Sequence, residues 1–250
     1  HENEIAQSES RSSTNFANFW IHNNLINFDN QKMSKSLGNI IKGRDFINDY
    51  NSEIFKFLIL SVHYRSILNF NKKLINQTII NLIKIYSALS LAENLSNSKI
   101  EVKESKEYKN EFESYSKKAS GFINNDLNTP GFFSVVFDMV RKFNLEAVNK
   151  KPSGELKYFS ICLLDFFNMY GGFLGLFQEP KKDFILDLNL LILKNKNIDV
   201  ADIEDAIEKR DNARIKKDYT LSDKIRDKLN TEGIDLKDNP DGTTGWSVRV

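Results

Sequence analysis

The sequence predicts a mainly α-helical protein, with a short extended start, an antiparallel helical bundle, and a small α+β unit ending in a hairpin. Three observations predict it. Apolar residues step by threes and fours almost without interruption from Asp45 to Leu176. The breaks between these runs are short, which favours antiparallel packing of successive helices. Beyond Asp202, two charged helical runs give way to two short extended runs around Asn239-Pro240-Asp241-Gly242, an Asp/Gly turn.

In chain order, Ile5 to Ser13 is polar and Ser-rich, and Phe19 to Phe28 reads as a buried strand or strand pair carrying Trp20, Ile21, Leu25 and Ile26. Asp29-Asn30 is a turn signal, and Lys32 to Asn39 a polar loop with a permissive Gly38. Helical spacing follows in Phe46, Tyr50, Ile54, Phe57 and Leu58, then in Ile75, Ile79, Leu82, Tyr86 and Leu89, then in Phe112, Tyr115, Ala119, Phe122 and Ile123. Asp126-Leu127-Asn128-Thr129-Pro130 is a helix stop and restart. Thr129 is placed to cap, and Pro130 suits a first helical position, where its missing N–H costs nothing. Phe133, Val136, Phe137 and Val140 give the next helix its inner face. Lys150 to Gly154 is a linker, and Leu156 to Gly175 a helix apolar enough to sit centrally. The cluster Phe184 to Leu193 fits either a strand or a helix. Helices over about 202–217 and 221–231 precede the extended runs Ile234-Asp235-Leu236 and Trp246 to Val250.

Composition narrows the class. With 250 residues, 40% of them hydrophobic and 19 of them Phe, the chain can bury a core without covalent staples. A single cysteine, Cys162, excludes an internal disulfide and a Cys-only zinc site, and fits a reducing compartment. Its expected role is that of a small buried apolar residue. The longest apolar stretch, Ile161 to Phe177, is broken by Asp165 and Asn168 and is short for a bilayer span. No membrane association and a cytoplasmic location are expected. Thirty-five basic against 34 acidic residues leave a net charge of +1, so any nucleic-acid contact has to come from local patches. The chain opens on His1-Glu2-Asn3-Glu4 without an initiator Met, and is expected to be a fragment of something longer.

The sharpest chemical signal is Lys32-Met33-Ser34-Lys35-Ser36, followed by Leu37-Gly38-Asn39. Two lysines and two hydroxyls in a turn after a strand can close over an anion with several charge-assisted hydrogen bonds. Such lysines stabilise charge that develops on a phosphate in a transition state. In the C-terminal unit, Arg210, Arg214 and Lys217 fall at i, i+4 and i+7, a basic helix face that Lys224 and Lys228 repeat on the next helix. Equal numbers of acids there make an ion-paired surface the generic reading. His63 and Arg65 read as cations at a helix end.

The Lys-Met-Ser-Lys-Ser run is similar to the ATP-side signature of class I aminoacyl-tRNA synthetases. With His1 to Ser8, Trp20-Ile21-His22, His63-Tyr64-Arg65-Ser66, Asp126 to Pro130, and Ile225-Arg226-Asp227 to Gly233-Ile234, the chain resembles the C-terminal half of the cysteinyl-tRNA synthetase family over essentially its whole length.

That resemblance implies the end of a Rossmann-type α/β catalytic domain over 1–45, a tRNA-bracing helical bundle over 46–178, a linker over 179–201 and an anticodon-binding domain over 202–250. The implied reaction activates L-cysteine with ATP and magnesium to cysteinyl-adenylate, then transfers cysteine to tRNA(Cys); the parent is expected to be a monomer. It assigns Lys35 and Lys32 to catalysis, both of them with Met33, Ser34 and Ser36 to ATP binding, Trp20 and His22 to the amino-acid pocket, and Arg214, Asp223 and Asp238 to anticodon bases. Trp246 or Tyr219 could stack on a base or be hairpin core. The family's zinc ion binds the substrate thiolate and so rejects serine. Glu4 matches one zinc ligand, whereas spacing alone pairs His1 with Glu4 at i,i+3. Cys162 matches neither ligand cysteine, and His1, His22 and His63 fit no His-x-Gly-His element. The isolated chain is therefore expected to bind zinc only with the missing half, and to be inactive alone.

A free-standing, non-catalytic tRNA-binding module is the main alternative. A ligase making a small-molecule thiol would lack the segment after Asp202, and a helical interaction protein would carry the lysine loop only by accident.

Overall fold

The computed structural model describes residues 1–34, 38–238 and 243–249. It opens with α1 (Glu2–Ser12), a helix with no buried residue. A small mixed sheet follows. Strands β1 (Ile26–Phe28) and β2 (Gln31–Lys32) pair antiparallel across Asp29-Asn30, where φ is +46° and +64°. Two successive positive φ values are the type I′ geometry, whose twist matches that of the flanking strands. Helices α2 (Gly43–Asp49) and α3 (Ser52–Leu60) then cross over to β3 (Leu68–Phe70), which pairs parallel with β1.

The buried strand expected over 19–28 shrinks to Ile26–Phe28. Residues 19–25 are irregular and exposed, and Phe19 is 89% exposed. The regular ladder holds only the last three residues; before them Leu25 accepts from the Leu68 N–H at 3.2 Å and Asn24 donates to the Tyr64 carbonyl at 2.8 Å, and the chain is otherwise irregular. β3 also interrupts a stretch expected to be wholly helical, with Leu68 and Phe70 buried on either side of Asn69.

The bundle consists of α4 (Lys72–Ser96), α5 (Lys106–Asn124), α6 (Thr129–Asn149), α7 (Gly154–Leu174) and α8 (Lys181–Lys196). α4 is central and packs on α3, α6, α7 and α8, while α5 lies on α6 and α7. Its inner face of Ile79, Leu82, Tyr86 and Leu89 meets Phe132, Met139 and Phe143 of α6 and Phe159, Leu163 and Phe166 of α7 in one core. The Tyr108 and Phe159 rings stack at 4.7 Å. Asn71, Ser105, Asn128 and Ser153 each accept a backbone N–H from the first turn they precede. Before α6 the cap is thus Asn128, not Thr129, because the break places Thr129 already inside the helix, with Pro130 after it. Cys162 is buried in α7, as a small apolar residue would be.

The 184–193 cluster is helical. Phe184, Leu188 and Ile192 form the buried row of α8.

The C-terminal unit contains α9 (Val200–Ile215), α10 (Tyr219–Thr231) and a hairpin of β4 (Ile234–Asp238) and β5 (Thr244–Val248). Its register sets Ile234 opposite Val248 and Leu236 opposite Trp246. Asp199 and Asp218 cap the two helices. Among the described residues, no helix is long and apolar enough to cross a membrane.

Candidate functional site

The signature loop leaves the sheet at the end of β2. Lys32 is exposed there, while Met33 is half-buried and reaches an apolar cleft lined by Ile26, Ile41, Phe46 and Leu58. One side chain ties the two ends of the loop together. The Asn39 carboxamide oxygen accepts from the Ser34 N–H at 2.9 Å, and its nitrogen donates to the Lys32 carbonyl at 3.3 Å. Gly38 sits at φ +64°, a conformation that favours glycine, so the chain can return to Asn39 without strain. Lys35 and Ser36 lie outside the described residues. The closure by Asn39 was missed in the sequence, although Gly38-Asn39 after a polar loop is the composition of a tight return.

A second cluster forms on the exposed N-terminal surface. The rings of His1 and Trp20 stack at 5.7 Å, those of His1 and His22 approach to 5.1 Å, and Phe16 lies 5.7 Å from Trp20. Nδ1 of His1 is 3.8 Å from Oε2 of Glu4. The structure thus brings together Glu4, Trp20 and His22 across some twenty residues of chain. The donor set does not fit a zinc ion by itself. Such sites take about four ligands, and no group of three or more His, Cys, Asp or Glu side chains among the described residues is arranged to hold a metal.

In the C-terminal unit, α9 and the hairpin share an ionic cluster. Arg210 is buried, not part of a surface stripe. Its Nη1 donates to Oδ1 of Asp238 at 2.9 Å and to the Thr244 hydroxyl at 3.1 Å, and its Nη2 donates to Oδ2 of Asp238 at 3.1 Å. Arg214, one turn on, reaches the same Oδ2 at 2.9 Å. The two guanidinium groups, Arg210 first, hold the Asp238 carboxyl far below the usual carboxylate range. Lys217 falls past the end of α9, with φ at +62°, so it does not extend the face. Arg214 and Asp238 are therefore joined. Asp223 is exposed on α10 and bonds to neither among the described residues. Trp246 is half-buried against the core, whereas Tyr219 is 62% exposed.

Residues 1–80 match the family described as tRNA synthetases class I (C) catalytic domain, and residues 122–178 match the DALR domain. The chain is 36% identical over 249 residues to the cysteine–tRNA ligase of Bdellovibrio bacteriovorus, an overlap of 99% of this chain and 51% of that protein. It is 35% identical over 253 residues to the cysteine–tRNA ligase of Maridesulfovibrio salexigens, covering 99% and 52%. The chain belongs to the cysteinyl-tRNA synthetase family. It corresponds to the C-terminal half, and spans about half the length of the curated relatives it matches.

In this cysteinyl-tRNA synthetase half, the segments matching the catalytic domain and the DALR domain meet at two seams. At the exposed seam, Arg65 Nε donates to Oδ2 of Asp126 at 2.7 Å and the Tyr64 hydroxyl to Oδ1 at 2.5 Å, while His63 Nε2 lies 3.0 Å from the Asp126 carbonyl oxygen. Asp126 and Leu127 carry positive φ, so the clasp seizes the tight turn that opens α6. Hydrogen bonds from Arg65 and then Tyr64 lower the Asp126 carboxyl below its ordinary value. The expected pair of helix-end cations is thus a tether between segments. At the buried seam, Oε1 of Glu53 accepts from the Tyr86 hydroxyl at 2.6 Å and from the Phe177 N–H at 2.8 Å. Burial raises the Glu53 carboxyl above its ordinary value against the opposing pull of those two bonds. Beside the exposed seam lies an apolar cleft of about 480 Å³, lined in part by Leu25, Ile59, Tyr64, Leu127 and Phe173.

Proposed function

We propose that this chain supplies the signature loop and the tRNA-binding part of a cysteine–tRNA ligase. The enzyme activates L-cysteine with ATP and magnesium, then transfers cysteine from the adenylate to tRNA(Cys). The observation that carries the reading is the loop from Lys32 to Asn39, tethered at its base by one asparagine and joined to the sheet by a tight hairpin. A short tether between Lys32, Ser34 and Asn39 fixes where the two ends of the loop sit, as the placing of transition-state donors requires.

In this reading, Lys35 donates to the ATP phosphates as charge develops during adenylate formation, and Lys32 supports it from the strand end. Met33 anchors the strand side of the loop, and Ser34 and Ser36 offer further donors. Trp20 and His22 line the amino-acid pocket, beside which Glu4 is the one zinc ligand that this chain contributes. The helical bundle braces the tRNA, the two seams set its position relative to the loop, and Arg214, Asp223 and Asp238 read the anticodon.

In the full-length protein, Lys35→Ala is expected to lower cysteine-dependent ATP–pyrophosphate exchange by about 10²- to 10³-fold, the scale of a lost transition-state donor. Binding of tRNA(Cys) should be little changed. Undiminished exchange would remove the catalytic role of the loop.

A further inference from the structure

The C-terminal ionic cluster contains a residue that the anticodon reading does not use. Arg210 is 2% exposed, yet it carries a full charge, and its Nε–H has no partner among the described residues. A buried guanidinium with an orphan donor is a costly brace for a hairpin; a well-packed apolar side chain would do that job with less penalty. What Arg210 does achieve is geometric. Its planar fork takes both oxygens of Asp238, at 2.9 and 3.1 Å, and so fixes the plane of that carboxylate. Arg214 then docks on one of the same oxygens, and the Thr244 hydroxyl closes the far side, 3.2 Å from Oδ1 of Asp211. The side chains of Asp238 and Arg214 remain 41% and 44% exposed.

An exposed Arg–Asp pair in water is ordinarily loose and contributes little. Here the pair is held from below, with a donor group and an acceptor group side by side at the surface. The cluster of Arg210, Arg214, Asp211 and Asp238 is electrically neutral, so it is poorly suited to gripping phosphates. It is suited to matching donors and acceptors on an unstacked base.

We propose that Arg210 is a positioning residue for anticodon recognition, holding Asp238 and Arg214 as one preorganised donor–acceptor surface for an RNA base edge. This rests on the anticodon reading of Arg214 and Asp238. It predicts that Arg210 governs selectivity among tRNAs, not general affinity.

The test titrates the 250-residue chain, as Arg210→Lys and as Thr244→Val, with tRNA bearing the anticodon GCA and with an anticodon-swapped copy, across several salt concentrations. Lysine keeps the buried charge but loses the fork; valine removes the hydroxyl while leaving Arg210 in place. Selectivity should fall by about tenfold in Arg210→Lys, the scale of a lost bidentate contact, and by about threefold in Thr244→Val, the scale of one neutral hydrogen bond. Binding of the swapped tRNA and the salt slope should stay as in the unaltered chain, a pattern that simple loosening of the fold would not produce. Selectivity unchanged in a folded Arg210→Lys overturns the proposal; if that variant does not fold, unchanged selectivity in Thr244→Val does so. An unaltered chain without any preference for GCA would instead overturn the anticodon reading, and the positioning role with it.

Discussion

Replacing Glu53 with alanine should cut the buried seam between the catalytic-domain segment and the DALR segment. One carboxylate oxygen serves two donors, the Tyr86 hydroxyl and the Phe177 N–H. Glu53→Ala would leave both donors buried and unsatisfied, at about 1–3 kcal/mol each. Relief from burying the carboxylate offsets part of that cost, so a net loss of about 3 kcal/mol is expected. Glu53→Gln keeps an acceptor oxygen at the same place without a charge, and should lie within about 1 kcal/mol of the unaltered chain at neutral pH. The pH dependence has a definite sign. Because burial raises the Glu53 carboxyl above its ordinary 4.5, its contribution is fully present below that value and is lost as pH rises through the raised value. Glu53→Gln should therefore gain on the unaltered chain between acidic and neutral pH. Urea midpoints at two pH values, with hydrogen exchange at the Phe177 amide, would measure both effects. An unchanged midpoint and unchanged Phe177 protection in Glu53→Ala would refute the reasoning, as would a glutamine variant as unstable as the alanine one.

Glu146 offers the opposite pH behaviour. It accepts from Lys142, Lys150 and Tyr108, and its carboxyl is lowered to about 2 with the Lys150 bond as the leading cause. Its contribution is present above 4.5 and is lost as pH falls towards about 2, so Glu146→Gln should flatten that part of the acid unfolding curve followed by circular dichroism. At the signature loop, Asn39→Ala frees the Ser34 N–H and the Lys32 carbonyl. In the full-length protein it should lower kcat/KM for ATP in pyrophosphate exchange by about tenfold through misplacement of the loop, with tRNA affinity unaltered. A matching fall in tRNA affinity would mean that the asparagine supports the fold at large.

The parts of the fold that were legible in the sequence are those set by local chemistry. The bundle helices follow from apolar spacing, and the turn at Asp29-Asn30 from two residue types that tolerate positive φ, although the short strand Gln31–Lys32 that makes it a hairpin was not foreseen. The C-terminal hairpin follows from paired extended runs. Apolar content misled over 19–25, where, among the described residues, only Asn24 and Leu25 bond to the backbone of β3 and the segment before it, and the ladder begins at Ile26. In α8 the period was obscured: Leu186 and Leu190 are apolar yet exposed, opposite the buried row of Phe184, Leu188 and Ile192. The motif supplied the candidate residues of the loop, of which Lys35 and Ser36 lie outside the described residues. The site was not legible where the partners are distant in sequence, as with Arg210, whose Asp238 and Thr244 lie 28 and 34 residues away. Spacing along α9 placed that arginine on a solvated face, and only the hairpin folding back over it reveals the buried fork. The same holds for Arg65, whose partner Asp126 is 61 residues distant.

The central claim is that this half of a cysteinyl-tRNA synthetase recognises the anticodon of tRNA(Cys). It is tested most directly by titrating the 250-residue chain with tRNA carrying the anticodon GCA, and with an anticodon-swapped copy, at one fixed salt concentration. The predicted result is a preference for GCA of at least about tenfold, abolished by Arg214→Ala. Equal, weak binding of both tRNAs would contradict it, leaving only the non-specific electrostatic contribution to binding.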